Sequence, residues 1–162
     1  MIQPSISVDA EPEQIIRHYS AMVYRLAYAR TGSRQDADEI YQEVFLRYIR
    51  KNPRFQSPEH QKAWFLRVTV NCANTFWRSP WRQMEPLKED TAFETREEID
   101  LSYALQKLPP KYREVIHLFY YEDLSVEQIS RILKRKPSTV RTQLTRARTI
   151  LKTWLKEEDY EF

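Results

Sequence analysis

Residues 125–148 read SVEQISRILKRKPSTVRTQLTRAR, two short helical patterns on either side of a polar turn. Ser125 and Gln128 have the spacing of a capping box, in which hydroxyl and amide satisfy orphan backbone donors where a helix opens. Val126, Ile129, Ile132 and Leu133 recur at the helical period, until Lys134, Arg135, Lys136 and Pro137 break the pattern. Ser138 is placed to cap the second helix, in which Val140, Leu144, Ala147, Leu151 and Leu155 form one apolar stripe. Arg141, Thr142, Thr145, Arg146, Thr149 and Lys152 must then project from other faces, together with Lys136 and Ser138 at the start. An arginine fork pairs with guanine edges or phosphates, and short hydroxyl side chains let a helix come close to a backbone. The pattern is that of a helix-turn-helix whose second helix enters a DNA groove. A solvated basic helix is the plainer alternative, and the capped helix and turn before it argue against it.

The rest of the chain fits such a module. Of 162 residues only Gly32 is a glycine, so hairpins and Gly-rich phosphate loops are disfavoured and an all-α chain is expected. Ten Tyr, seven Phe and four Trp argue against disorder throughout. A single cysteine, Cys72, excludes an internal disulfide and a cysteine-based zinc cluster. The opening residues have neither the basic start nor the apolar run of a signal peptide, and no stretch approaches a membrane span, so a cytoplasmic protein without membrane insertion is expected. The net charge of +3 is mild but uneven, with residues 111–156 carrying the basic excess. His18, His60 and His117 are scattered and no metal-ligand spacing occurs, so neither an enzyme, a metal site nor a cofactor is expected.

Composition divides the chain into two small helical domains. After a flexible N-terminus (residues 1–11), three helices are expected within 12–79. The first runs from about Pro12 to Arg30, with Ile15, Ile16, Tyr19, Met22, Val23 and Leu26 inward, and stops at Gly32. The second starts near Asp36, buries Ile40, Val44, Phe45, Tyr48 and Ile49, and ends before Pro53. Its other face carries Glu39, Gln42, Glu43, Leu46 and Arg50, where a leucine among acids and amides fits a protein partner but also an ordinary exposed leucine. The third follows Ser57-Pro58, with Phe65, Leu66, Thr69, Val70, Cys72, Ala73, Phe76 and Trp77 on a broad apolar side. Trp64, Arg67, Asn71, Asn74 and Arg78 fall opposite, a set of amides, cations and one aromatic suited to opened or single-stranded DNA. Trp64 fits a core position equally well.

Residues 80–100, with Pro80, Pro86 and several acids, read as a linker, although Trp81, Met84, Leu87 and Phe93 also suit a segment lying across a partner. Beyond it, residues 101–156 are expected to form a four-helix domain. Leu101–Leu108 and Lys111–Tyr121 precede the helix-turn-helix, the latter helix with Tyr112, Val115, Ile116 and Phe119 on one side, and an acidic tail (157–162) closes the chain.

Taken in order, these segments resemble the sigma-70 family, specifically its small extracytoplasmic-function (ECF) group. DADEIYQEVFLRYIR (36–50) is similar to the region 2 helix that docks on RNA polymerase, and AWFLRVTVNCANTFWR (63–78) to the helix that holds open the −10 element. LPPKYREVIHLFYYEDLSVEQISRILKRKPSTVRTQLTRARTIL (108–151) is similar to region 4, which reads the −35 element. The resemblance implies a polymerase-docking pair at Gln42 and Glu43, flanked by Glu39 and Leu46, and a base-contacting Asn71. It also implies a loop from Ser57 to Gln61 that captures a flipped base, and a −35 face at Arg141, Thr142, Thr145 and Arg146. Lys134 and Arg135 stand where the family has a glycine and an apolar residue, a change expected to add charge near phosphate. The implied partners are core RNA polymerase, promoter DNA and an anti-sigma factor. The rival reading is a helix-turn-helix regulator or antiterminator that uses the C-terminal domain without recruiting polymerase.

Overall fold

A computed structural model describes residues 6–78 and 105–157, and the chain divides into two compact units, Met1–Leu87 and Lys88–Phe162. All regular elements among the described residues are helical. The expected linker, the first residues of the 101–108 helix and all but the first residue of the acidic tail lie outside the described residues.

In the first unit α1 spans Pro12–Thr31, α2 Arg34–Lys51 and α3 Pro58–Arg78. Just before α1, within the segment expected to be flexible, residues 7–10 form a turn closed by Ala10 N–H to the Ser7 carbonyl at 3.1 Å. Gly32 ends α1 in the left-handed region at φ 69°, a conformation that costs glycine nothing, and its N–H bonds the Tyr28 carbonyl. Only two residues separate α1 from α2, because Ser33 caps α2 at once, its hydroxyl accepting from Asp36 N–H at 3.3 Å. The second helix thus begins two residues before Asp36. At its far end Asn52 takes the left-handed cap at φ 43°, its N–H bonding the Tyr48 carbonyl, and Pro53 follows where the helix cannot continue.

The three helices pack on one another around Phe65, which is fully buried. Rings of Tyr19, Trp64, Tyr48 and Phe45 lie with centroids 4.7, 5.0, 5.2 and 5.7 Å from it. Met22, Val23, Leu26, Ile40, Val44 and Leu66 complete the core. One expected core residue is not in it: Ile49 is 60% exposed. It comes one residue after buried Tyr48, about 100° around the helix, and so falls beside Gln42 and Leu46 on the outer face.

In the second unit α4 spans Pro110–Ile116, α5 Val126–Leu133 and α6 Pro137–Glu157. The helix expected to run regularly to Tyr121 instead widens into a π-helical turn at His117–Tyr121. The extra residue in that turn rotates the side chains beyond it about the helix axis. Leu118 is fully buried, whereas Phe119, expected inside, is only half-buried, and Tyr120 and Tyr121 are 53% and 58% exposed. His117 stacks on Tyr121 at 5.1 Å and lies 3.7 Å from the Glu122 carboxylate, both members of that pair being buried. Both halves of the predicted capping box form: Gln128 N–H donates to the Ser125 hydroxyl at 3.1 Å and Ser125 N–H to the Gln128 amide oxygen at 2.9 Å. α5 and α4 both pack on α6, through Ile129, Ile132, Val140, Leu144 and Ala147 among others. Leu155, the last residue of the expected stripe, has no described side chain.

Candidate nucleic-acid and polymerase interfaces

Three surfaces present the candidate residues. On α2, Glu39, Gln42, Leu46 and Arg50 are exposed and Glu43 is half-buried. Glu43 accepts from Arg47 Nε at 3.0 Å, a one-turn pair that holds its carboxylate along the helix. Leu46, at 44% exposure, and Ile49 together make an apolar strip within this polar face. Apolar character alone places Ile49 inward, but its angular position on α2, beyond Tyr48 and in line with Gln42 and Leu46, is the signal that it faces out.

On α3 the expected −10 residues separate. Arg67 and Asn71 are exposed. Asn74 is half-buried and its carbonyl oxygen accepts from Arg30 Nη2 at 2.9 Å, a tie between α1 and α3 that occupies one of the oxygen's two lone pairs. Trp64 is half-buried, set edge-on to Tyr48 at 6.1 Å and Phe55 at 5.8 Å, so its ring is a wall of the core with one side outward. The Arg78 side chain lies outside the described residues.

Gln61 corrects the sequence reading. It was expected in a loop that captures a base, yet it is fully buried in the first turn of α3, where its amide oxygen accepts from the Tyr19 hydroxyl at 2.9 Å. The helix begins at Pro58, so Gln61 lies on the same inward face as Phe65, one turn later. Only Ser57, half-buried, keeps a loop position, and there it caps the helix, accepting from His60 N–H at 3.1 Å. His60 in turn accepts from Gln56 N–H at 3.2 Å through Nδ1, which closes the loop before α3. Burial, with a smaller contribution from the Glu59 charge, pushes the Tyr19 phenol up to about 12. Burial also raises Tyr48, lifts the Cys72 thiol to about 11 against the opposing pull of Arg47, and lowers His18.

On α6, Ser138, Arg141, Thr142, Thr145, Arg146, Thr149 and Lys152 are all exposed and cover one broad side, and Lys136, just before the helix, is exposed too. Ser138 is not the cap expected of it. The helix starts one residue earlier with Pro137, whose fixed φ suits the first helical position, and Val140 N–H bonds the Lys136 carbonyl at 3.1 Å. The Thr142 and Thr149 hydroxyls donate back to the Ser138 and Thr145 carbonyls at 3.0 and 2.9 Å, so each must rotate to donate to a phosphate. Arg141 is paired with Glu127 of α5 at 3.2 Å, both side chains more than half exposed. Arg148 shares a stripe with Arg141, Thr145 and Lys152 by spacing, but its Nε donates to the Tyr120 hydroxyl at 2.6 Å and its guanidinium lies over Phe119 and Tyr120.

Arg135, expected to add charge near phosphate, turns inward. Its guanidinium bonds the Glu114 carboxylate, which is 1% exposed, and reaches the Gln143 amide oxygen at 3.0 Å and the Lys111 carbonyl at 3.4 Å. A buried carboxylate needs a partner, and the planar fork reaches several acceptors at once. Lys134, the residue before it, takes the left-handed conformation at φ 55° where a glycine would be unstrained.

The Sigma-70 region 2 family matches residues 15–83, and the Sigma-70 region 4 family matches residues 98–151. The RNA polymerase sigma factor SigV of Bacillus subtilis is 31% identical over 142 residues, 84% of this chain and 86% of that protein. The chain belongs to the sigma-70 family, in its ECF group. The ECF sigma factor SigE of Mycolicibacterium smegmatis is 32% identical over 163 residues, and the match takes in 92% of this chain but 63% of that longer relative. In fold, the chain is similar to the sigma factor RpoE of Bartonella quintana, solved in complex with the anti-sigma factor NepR. That likeness has a TM-score of 0.77 at 21% identity and covers 89% of this chain and 96% of the other. No helix among the described residues is long and apolar enough to cross a membrane, and among them no group of three or more His, Cys, Asp or Glu is placed to hold a metal ion.

Proposed function

We propose that this ECF sigma factor binds core RNA polymerase through the outer face of α2 and directs it to promoters, acting in the cytoplasm and without catalysis of its own. The observation that carries the reading is the pairing, in one chain, of two surfaces. One is the polar α2 face with its Leu46–Ile49 strip, and the other is the exposed Arg/Thr side of a capped helix-turn-helix. A DNA-binding regulator needs the second surface and has no use for the first.

In this reading the outward edge of α3, through Arg67, Asn71 and the open side of Trp64, holds unpaired bases of the −10 element, with Asn74 contributing its amide nitrogen and Ser57 shaping the loop before the helix. Lys136, Arg141, Thr145, Arg146 and Lys152 grip the −35 duplex. Engaging both promoter elements from one chain raises the effective concentration of the second contact once the first is made. The fold neighbour's complex with NepR makes an anti-sigma factor the natural regulatory partner here too.

In vitro transcription by purified core polymerase with the full-length chain, on promoters randomised at −10 and −35, tests this. The double variant Leu46→Ala/Ile49→Ala removes two exposed side chains and should retain full helicity while weakening core binding roughly tenfold or more. Unchanged core affinity would reject the α2 assignment. DNA binding without any polymerase-dependent transcription would favour the regulator.

A further inference from the structure

We propose that Arg135 is a positioning residue for −35 recognition, its inward guanidinium setting the rotation of α6 against α4; the proposal rests on α6 being the −35 reader. The fork joins three parts of the unit. It binds Glu114 and the Lys111 carbonyl of α4, it belongs to the turn itself, and it holds the Gln143 amide of α6 at 3.0 Å. The turn is anchored from the other side as well, because Arg135 N–H bonds the Ser130 carbonyl at 3.1 Å and the Ser130 hydroxyl donates to the Arg135 carbonyl.

Gln143 lies one helical turn before Arg146 and two residues after Arg141, on the edge of α6 between its apolar stripe and its exposed side. A contact at that edge resists rotation of α6 about its own axis, adding a directional restraint to the packing of the apolar stripe of Val140, Leu144 and Ala147. On a helix of about 5–6 Å radius, a rotation of about 10° moves a side-chain tip by about 1 Å, enough to spoil a bidentate contact to a base edge. Arg135 would thus govern which bases Arg141 and Arg146 reach without touching DNA itself. A lysine there still neutralises Glu114 but has no planar fork to hold Gln143 and the Lys111 carbonyl together.

The test uses the full-length chain with core polymerase and promoter libraries randomised separately at −35 and −10. Arg135→Lys and Gln143→Ala are compared with Arg141→Ala and Arg146→Ala, and helicity is measured for each. Arg135→Lys and Gln143→Ala should each flatten or shift −35 base preference by about three- to tenfold, with −10 preference, core affinity and the salt dependence of binding unchanged. Their combination should do little more than either alone, since both break one contact. An unaltered −35 preference in both, while Arg141→Ala and Arg146→Ala change it, overturns the proposal. So does a fall of about 0.9 in the salt slope for Arg135→Lys, which marks a direct phosphate contact. If the Arg141 and Arg146 variants also leave the preference unchanged, α6 is not the −35 reader and the proposal falls with that assignment. Should Arg135→Lys lose helicity, Gln143→Ala decides, because it leaves the Arg135–Glu114 pair in place.

Discussion

Replacing Gln61 by leucine separates a core residue from a DNA contact, because the two roles predict opposite outcomes. Its amide oxygen is the acceptor for the buried Tyr19 hydroxyl at 2.9 Å, so Gln61→Leu strands that hydroxyl away from water. A stranded buried donor costs about 1–3 kcal/mol. Some of this is offset, since the Gln61 Nε2 is itself buried without a partner among the described residues and leucine removes it. The expected net loss is about 1–2 kcal/mol, or about 4–8 °C in Tm for each kcal/mol in a unit of this size. Tyr19→Phe should cost a similar amount by stranding the Gln61 oxygen, while the ring keeps its stacked place 4.7 Å from Phe65. In the double variant neither polar atom remains. It should be more stable than either single variant, with a coupling energy of about 1–2 kcal/mol in urea unfolding of the full-length chain followed by tryptophan fluorescence. Additive losses, or an unchanged stability for Gln61→Leu together with a new −10 base preference, would refute the core assignment and restore Gln61 to the base-capturing loop.

Three further outcomes are expected. Cys72, 4% exposed with its thiol pushed up to about 11, should resist a thiol reagent near neutral pH and be labelled only as fast as the first unit opens, so labelling should rise with urea in step with unfolding; rapid labelling in native buffer would show that the α3 face is not closed over it. Lys134→Gly should stabilise the second unit by about 0.5–1 kcal/mol, because relief of the left-handed penalty at φ 55° exceeds the added freedom of the unfolded chain; thermal melting reads it, and destabilisation would mean that the lysine side chain contributes contacts of its own. Tyr19 is raised from 10.0 to about 12 on folding, so its contribution is fully present below about pH 10 and is lost as pH rises from about 10 to about 12; Tyr19→Phe should lessen the fall in stability across that window, and an identical alkaline profile would contradict the burial of the phenol.

Much of the local structure was legible in the residues. The helix starts and stops at Pro12, Gly32, Pro58 and Ser125 come from capping chemistry and backbone restriction, which act within a few residues. The exposed side of α6 comes from counting a 3.6-residue period, so each of its proposed −35 residues lies on the surface. Sequence also supplied the order of the segments, on which the family resemblance rests. Ser33 as the cap of α2 follows from the same rules, its hydroxyl standing three residues before Asp36, so the helix opens ahead of the acid rather than at it.

What only tertiary structure decided are the places where one residue's environment comes from distant parts of the chain. Gln61 is polar and near a helix start, yet it is a core residue because Tyr19, forty-two positions away, offers a buried hydroxyl to its amide. Ile49 is apolar yet exposed, because α1 and α3 cover a strip of α2 that ends at Tyr48. Arg135 stands in a basic run and still points inward, because the buried Glu114 carboxylate, twenty-one positions away, offers its guanidinium an ion pair. The π-helical turn at His117–Tyr121 leaves no mark in the spacing of apolar residues and moves Phe119 to the edge of the core. The dividing line is physical: periodicity and capping are properties of a short stretch of backbone, whereas burial is settled by which surfaces other helices happen to cover.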